Sequence, residues 1–350
     1  MSWLKVVTTF CFLLAFTQCS PPAKKQEKIV GIKVPTEWIE RIRTYNKQDT
    51  LLLLRQFEGF IAPDTLDGES ENPHYTGVLN DRPPGVIRPT FINLDDDSTQ
   101  ELIGTFGYDS RDPTLAVFKL IDNSWYLLYH ESFYDSYGDS ELKVANSFSS
   151  YKLFYINFLY EHGSGIYRDA YRFFKLINNK VYPCLEITKE AHIYGWGLHL
   201  NQQDSTSFQI DSTKSDKILV TYNYDFFSGY DYDIPESKQV NMSFAKGEKT
   251  VSYQWDKETL TYRPQLHNLP GEMTSEKITT LARFGDDSLF IKAFAYEITE
   301  NLKVASPKEK ECLQRYLAFA QNRQKTPGST SEMEETRQVG EIKFYAPKKK

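Results

Sequence analysis

Four oxygen-bearing side chains recur in the segment FINLDDDSTQELIGTFG, Phe91 to Gly107: Asn93, Asp95 and Asp97 at alternate positions, then Glu101 four residues later. A hard cation takes six to eight oxygens, and alternate positions of a tight loop can converge on one point to supply several. The chemistry expected here is a structural cation site for Ca2+, and the competing reading is an acidic solvated turn. Two further segments mix acids with aromatic rings: HESFYDSYGDSEL, His130 to Leu142, and YDFFSGYDYDI, Tyr224 to Ile234. Rigid rings beside carboxylates suit sugar rings or peptide strands, because aromatics give contact area at small entropic cost. The candidate ligand residues are therefore Tyr134, Asp135, Tyr137, Tyr230, Asp231 and Tyr232. Carboxylates in these loops could instead carry out glycoside hydrolysis if two face each other across a cleft.

Other catalytic constellations are missing. The six histidines, His74, His130, His162, His192, His199 and His267, form neither a His-Glu-x-x-His pair nor a compact zinc spacing. His192 and His199 are seven apart, which puts them on opposite faces of a strand. HGSG, His162 to Gly165, lacks the Gly-x-Ser-x-Gly elbow and the following helix of a nucleophile, and reads as a turn.

The elements around the acidic turn identify its kind. An EF-hand needs glycine at loop position six and glutamate at position twelve, but counting from Asn93 those places hold Ser98 and Gly104. The order Asn93, Asp95, Asp97, Glu101, Leu102, running directly into a strand, resembles instead the FG-GAP or VCBS-type repeats of β-propeller proteins. Ser98 stands where that pattern has glycine. The resemblance implies a calcium ion bracing a turn between two blade strands, and no chemistry.

From about Val86 to Ile298 the sequence reads as strands, aromatic and β-branched runs separated by Asn, Asp, Gly and Ser clusters. FKLIDNSWYLL, Phe118 to Leu128, is echoed by FKLINNKVYPCL, Phe174 to Leu185, with Asp122-Asn123 and Asn178-Asn179 in the same hairpin turn. Weaker echoes are Tyr253 to Tyr262, and Phe208 to Asp225 as a shadow of the acidic stretch. These echoes suggest repeated antiparallel units of roughly 55 to 60 residues. The expected fold is mainly β: an irregular antiparallel propeller-like domain of about four blades, or alternatively a twisted β-sandwich, flanked by N-terminal and C-terminal helices.

The helical flanks have their own signals. Trp38, Ile39, Ile42 and Tyr45 share one helical face after Pro35 and Thr36, and a second helix begins near Asp49 with Leu51 to Leu54 and Phe57 toward the core. Ser306-Pro307-Lys308-Glu309 is a capping box ahead of the stripe Cys312, Leu313, Tyr316, Leu317 and Ala320. The organisation is thus a helical region over 34–80, an antiparallel β domain over 81–300, a helix over 306–323 and a polar tail over 324–350.

Composition and the N-terminus bound the setting. With 41 basic and 47 acidic residues the formal charge is −6, which argues against nucleic-acid binding. The first nineteen residues carry Lys5 and an apolar run from Val6 to Phe16, the pattern of a secretory leader. The end of this run resembles a bacterial lipoprotein signal, with Cys19 as the lipidated residue. Residues 20–33 would then be a tether, and the protein would be exported and held in the cell envelope by a lipid anchor; the alternative is a soluble secreted form. Export would permit a Cys184 to Cys312 disulfide, the alternative being two buried thiols. The expected function is a non-enzymatic binding or assembly module facing envelope proteins or glycans, and the alternative is a carbohydrate-active hydrolase.

Overall fold

A computed structural model describes residues 31–57 and 85–325, apart from 96, 108–112, 134–141, 146–151, 164, 195–199, 211–215, 230–234, 267–270 and 283–286. Cys19, the tether, the polar tail and all six candidate ligand residues of the aromatic loops lie outside the described residues.

The described chain is mainly β. A short strand β1 (Ile32–Val34) leads into helices α1 (Thr36–Arg43) and α2 (Thr50–Gln56). Strands β2 (Val86–Ile92), β3 (Glu101–Gly107), β4 (Thr114–Ile121) and β5 (Ser124–Ser132) follow as an antiparallel meander, and β1 pairs with β5 to complete a five-stranded sheet. The second sheet has eight strands in sequential order. These are β6 (Lys143–Val144), β7 (Leu153–Gly163), β8 (Ile166–Ile177), β9 (Lys180–Ile193), β10 (Leu200–Ile210), β11 (Lys217–Ser228), β12 (Ser243–Asp256) and β13 (Thr261–Gln265). Helices α3 (Ser275–Ala282), α4 (Asp287–Ala293), α5 (Ala295–Val304) and α6 (Pro307–Lys325) close the described chain.

The paired hairpins expected from the sequence are present. Asp122 and Asn123 have φ of 48° and 59°, and Asn178 and Asn179 have φ of 50° and 57°. Both central residues of a type I′ turn need positive φ, and Asn and Asp tolerate it because their short polar side chains bond the local backbone. The registers Ile121 with Ser124 and Ile177 with Lys180 make each a two-residue loop. The turn near His162 is a hairpin as well, with Gly163 opposite Ile166 and Gly165 at φ 89°.

Three units of four antiparallel strands emerge: β2 to β5, β6 to β9 and β10 to β13. The acidic turn joins the first two strands of the first unit, and its shadow near Asp216 joins the first two of the third unit. Radial blades are not how they assemble. The second and third units share backbone hydrogen bonds, Gln202 opposite Ile193 through Ser205 opposite Glu190, so they fuse into one open sheet. Edge-to-edge pairing of this kind satisfies the exposed strand edge that a propeller blade would leave at its rim.

Burial follows from the layers. Every residue of β3 is buried, because both faces of the five-stranded sheet are covered. Leu102, Phe106, Ala116 and Phe118 point to the N-terminal helices, against Ile39, Ile42, Leu54 and Phe57. Ile103, Leu115 and Val117 alternate to the other face and meet Phe154, Ile156, Phe174 and Leu176 of the larger sheet. By contrast β11 alternates strictly, with Ile218, Val220, Tyr222, Tyr224 and Phe226 inward. These form the largest core with Phe290, Phe294, Ile298, Leu313 and Tyr316 of the C-terminal helices. The larger sheet also curls on itself: the Lys175 ammonium of β8 lies 4.1 Å from the Trp255 ring of β12 and 5.0 Å from the Tyr262 ring of β13.

The strand reading of residues 275–300 is corrected, since α3, α4 and most of α5 occupy that stretch. Its aromatic content suggested strands, but Phe290, Phe294 and Ile298 recur every four residues and bury one helical face. The capping box holds as expected. Ser306 N donates to Glu309 Oε2 at 2.8 Å, and Glu309 N to Ser306 Oγ at 3.4 Å. Cys184 and Cys312 are free thiols, not a disulfide.

Candidate functional site

The acidic turn is held by its own side chains before any ligand is considered. Ile92 and Glu101 face each other across the β2–β3 pair, so the eight-residue excursion between them starts and ends at one rung of the ladder. Asp95 Oδ1 accepts from Asp97 N at 3.2 Å, and Asp97 Oδ1 accepts from Thr99 N at 2.7 Å and from Thr99 Oγ1 at 2.6 Å. Such side-chain bonds two residues on replace backbone bonds that a turn cannot make. Glu101 is completely buried, and its Oε2 accepts from Leu94 N at 2.6 Å. The Asn93 side-chain amide donates through Nδ2 to the Asp97 carbonyl, which ties the start of the turn to its middle.

The centre of the turn belongs to Lys119. Its Nζ lies 2.7 Å from Asp95 Oδ2, 2.5 Å from Asp97 Oδ2 and 2.7 Å from Glu101 Oε1. An ammonium has three N–H donors, and all three are engaged. The lysine reaches this point from β4, where its neighbour Phe118 pairs with Leu102 of β3. Burial opposes its charge, but the three carboxylates outweigh that and hold it above the ordinary lysine range. Burial likewise pushes Glu101 up, with Lys119 and the Leu94 N–H pulling the other way. Asp97 is held down despite partial burial, by the hydrogen bonds from Lys119 and Thr99.

The three carboxylates have ligand atoms within 4.8 Å of one another, a spacing suitable for a metal ion. The donor set nevertheless does not fit calcium while Lys119 stays in place. The point where the three carboxylates converge already carries a positive charge. Three of the acids that the sequence pattern singles out converge, and the pattern missed their counter-ion. The available signal was a lysine inside the otherwise apolar run of β4, Val117 to Ile121, where a charge must find a partner. Lys175 occupies the same place in the echoed hairpin and is also buried, above aromatic rings. Burial lowers its proton affinity, while the charge of Asp216 beside the shadow turn acts to raise it.

A second feature lies on the outward face of the larger sheet. Rings of Tyr167, His192, Tyr194 and Phe227 run across β8, the end of β9 and β11, with successive centroids 6.1, 6.0 and 5.7 Å apart. Polar groups accompany the rings. His192 Nε2 is 2.6 Å from Glu190 Oε1, and the Tyr194 hydroxyl donates to Gln203 Oε1 at 3.2 Å. Register places Tyr167, His192, Gln203, Asp225 and Lys246 in one row across five strands. Tyr194 is 37% exposed, so a ring is presented to solvent here. The segment carrying Tyr230, Asp231 and Tyr232 leaves β11 close behind Phe227 in the chain. Sequence reading passed over this row because its members come from separate strands, five in all.

A third group sits between the sheets. Arg172 of β8 bonds Glu131 of β5 through Nη1 and Glu186 of β9 through Nε, the latter at 2.9 Å. The Tyr129 hydroxyl donates to the other oxygen of Glu131. Two carboxylates do share a site, but a guanidinium bridges them.

No described helix is long and apolar enough to cross a membrane. No family model matches the chain, and no match is found among curated proteins or solved structures.

Proposed function

We propose that the protein is a non-enzymatic binding module of a bacterial cell envelope, tethered through Cys19, whose outward aromatic row recognises a glycan. The observation that carries this reading is the run of Tyr167, His192, Tyr194 and Phe227 with polar partners between the rings. Flat rings stack on the apolar faces of sugars, while Glu190, Gln203 and Asp225 are placed to bond hydroxyls. The row also lies on the solvent side of a strand pattern whose other side is the main core, so binding demands no disruption of packing. The acidic turn supports the binding class by serving as a brace closed by Lys119, with calcium as an ion that would have to displace that ammonium.

The hydrolase alternative has weaker support. Hydrolysis needs one carboxylic acid and one carboxylate on either side of a glycosidic bond. Among the described residues, Glu131 and Glu186 share a site that is occupied by Arg172, and Asp95, Asp97 and Glu101 share one occupied by Lys119. As for the finer fold, we read the three four-stranded meanders as degenerate copies of one unit, assembled in the manner of a twisted sandwich.

The test is retention of the full chain on a glycan array, compared with Tyr194→Ala/Phe227→Ala and Tyr230→Ala/Tyr232→Ala. Retention of the native protein and its loss in the first variant are expected. Unchanged retention in that variant, or no retention of the native chain on any glycan, would sink the reading. For the anchor, labelling with radioactive palmitate should mark the native protein and not Cys19→Ala; equal labelling overturns it.

A further inference from the structure

The cluster between the sheets is unbalanced in charge. Glu131 and Glu186 supply two negative charges and Arg172 one positive, in a seam also lined by Leu115, Ile156 and Phe174. The side chains of Arg172 and Glu186 are 13% and 12% exposed, so water screens them poorly, whereas that of Glu131 is 36% exposed and partly solvated. An excess charge in such a place is costly, and taking up one proton removes it. We propose that Glu131, Arg172 and Glu186 form a proton-operated latch between the five-stranded and eight-stranded sheets, shut with one proton bound and loosened when that proton leaves.

The geometry says where the proton sits. Both oxygens of Glu131 are engaged, one by Arg172 and one by the Tyr129 hydroxyl, so Glu131 serves as the carboxylate that Arg172 reaches across the seam. Tyr129 keeps its own proton, since burial and the Glu131 charge push it far up. Glu186 uses Oε2 toward Arg172 Nε, leaving Oε1 to carry the proton. Burial, and then the charge of Glu131, push the Glu186 carboxyl up to about 8. Arg172 divides its one positive charge between the two acids. Among the described residues, the charged and titratable groups of this cluster are Glu131 from β5, with Tyr129 bonded to it, and Arg172 from β8; β4 and β7 contribute Leu115 and Ile156.

The sign is definite. The folded-state affinity for the proton exceeds the unfolded one, so the native chain binds more protons between the unfolded value near 4.5 and about 8. Stability from this group is full below that lower value and is lost as pH rises through about 8. The ceiling on the change in folding equilibrium is on the order of 10³-fold. Cross-sheet contact through Glu131 and Arg172 is the part that weakens.

The experiment measures urea midpoints of the full chain from pH 6 to 9, with hydrogen exchange of β5, β8 and β9 amides corrected for intrinsic rates. The native chain should lose midpoint and protection at these strands as pH rises, and Glu186→Gln should stay level in both. Glu131→Gln, which removes the neighbouring charge, should move the fall to lower pH. A flat native profile overturns the latch whether or not the variants fold. So does an identical fall in Glu186→Gln.

Discussion

Replacing Lys119 by methionine keeps the length and much of the volume of the side chain while deleting the charge that three carboxylates share. Its Nζ bonds, at 2.7, 2.5 and 2.7 Å, reach one fully buried acid, Glu101, one largely buried acid, Asp95, and one half-open acid, Asp97. Asp97 is 43% exposed at the side chain and is solvated in the variant, so its bond contributes least. The loss centres on Glu101 and Asp95, left as like charges with no cation. Removing one partner of a buried ion pair costs about 3–5 kcal/mol, because an uncompensated charge stays behind. For a large domain that is a fall in melting temperature of roughly 6–20 °C, at about 2–4 °C per kcal/mol. The assay is thermal melting in chelator, followed by titration with calcium. Lys119→Met should melt well below the native chain in chelator and recover part of the loss in millimolar calcium, since an ion bound only by the folded state stabilises it. The native chain should not shift with calcium. If Lys119→Met melts with the native protein in chelator, Lys119 is not the brace; if the native midpoint itself climbs with calcium, the ammonium does not hold the site against the ion.

Further predictions follow from individual contacts. Phe118→Ala, which empties a site 1% exposed among Phe57 and Phe106, should cost about 3–5 kcal/mol in urea unfolding. Asn179→Gly at φ 57° should be tolerated with little change, whereas Asn179→Val should destabilise by about 1–2 kcal/mol, because a branched side chain strains a left-handed turn. Reductant should leave the melting temperature unchanged, and Cys184 should resist thiol reagents until the chain unfolds, since burial pushes its thiol up and no disulfide joins it to Cys312. Tyr194→Ala should alter stability by less than about 0.5 kcal/mol, as expected of a surface position, which separates a binding role from a folding one.

How legible these features were depended on the distance over which each is written. The Asp122-Asn123 and Asn178-Asn179 turns and the Ser306 to Glu309 cap are decided within four residues, and they stand as expected. The acids of the turn were equally visible, because their spacing is local. Lys119 was not, for its partners lie 18 to 24 residues away on other elements. Fusion of the second and third units rests on four opposed pairs between β9 and β10, and alternation in either strand looks the same with or without that partner. The helices over 275–304 were masked by bulky rings, Phe290, Phe294 and Tyr296, that suit strands by type and helices by spacing. The aromatic row demanded register as well as composition, since Tyr167, His192 and Phe227 come together only when the four strands β8 to β11 are laid side by side.

A counter-ion carried on β4 differs from a dissolved one in its supply. A free ion occupies a site according to its concentration, and the turn would order or loosen with the composition of the medium. The Lys119 charge arrives in a fixed ratio of one per chain, at the moment β4 pairs with β3, and dilution cannot remove it. The turn's order is thereby tied to formation of a neighbouring strand pair, and its timing in folding becomes a property of chain topology instead of ionic supply.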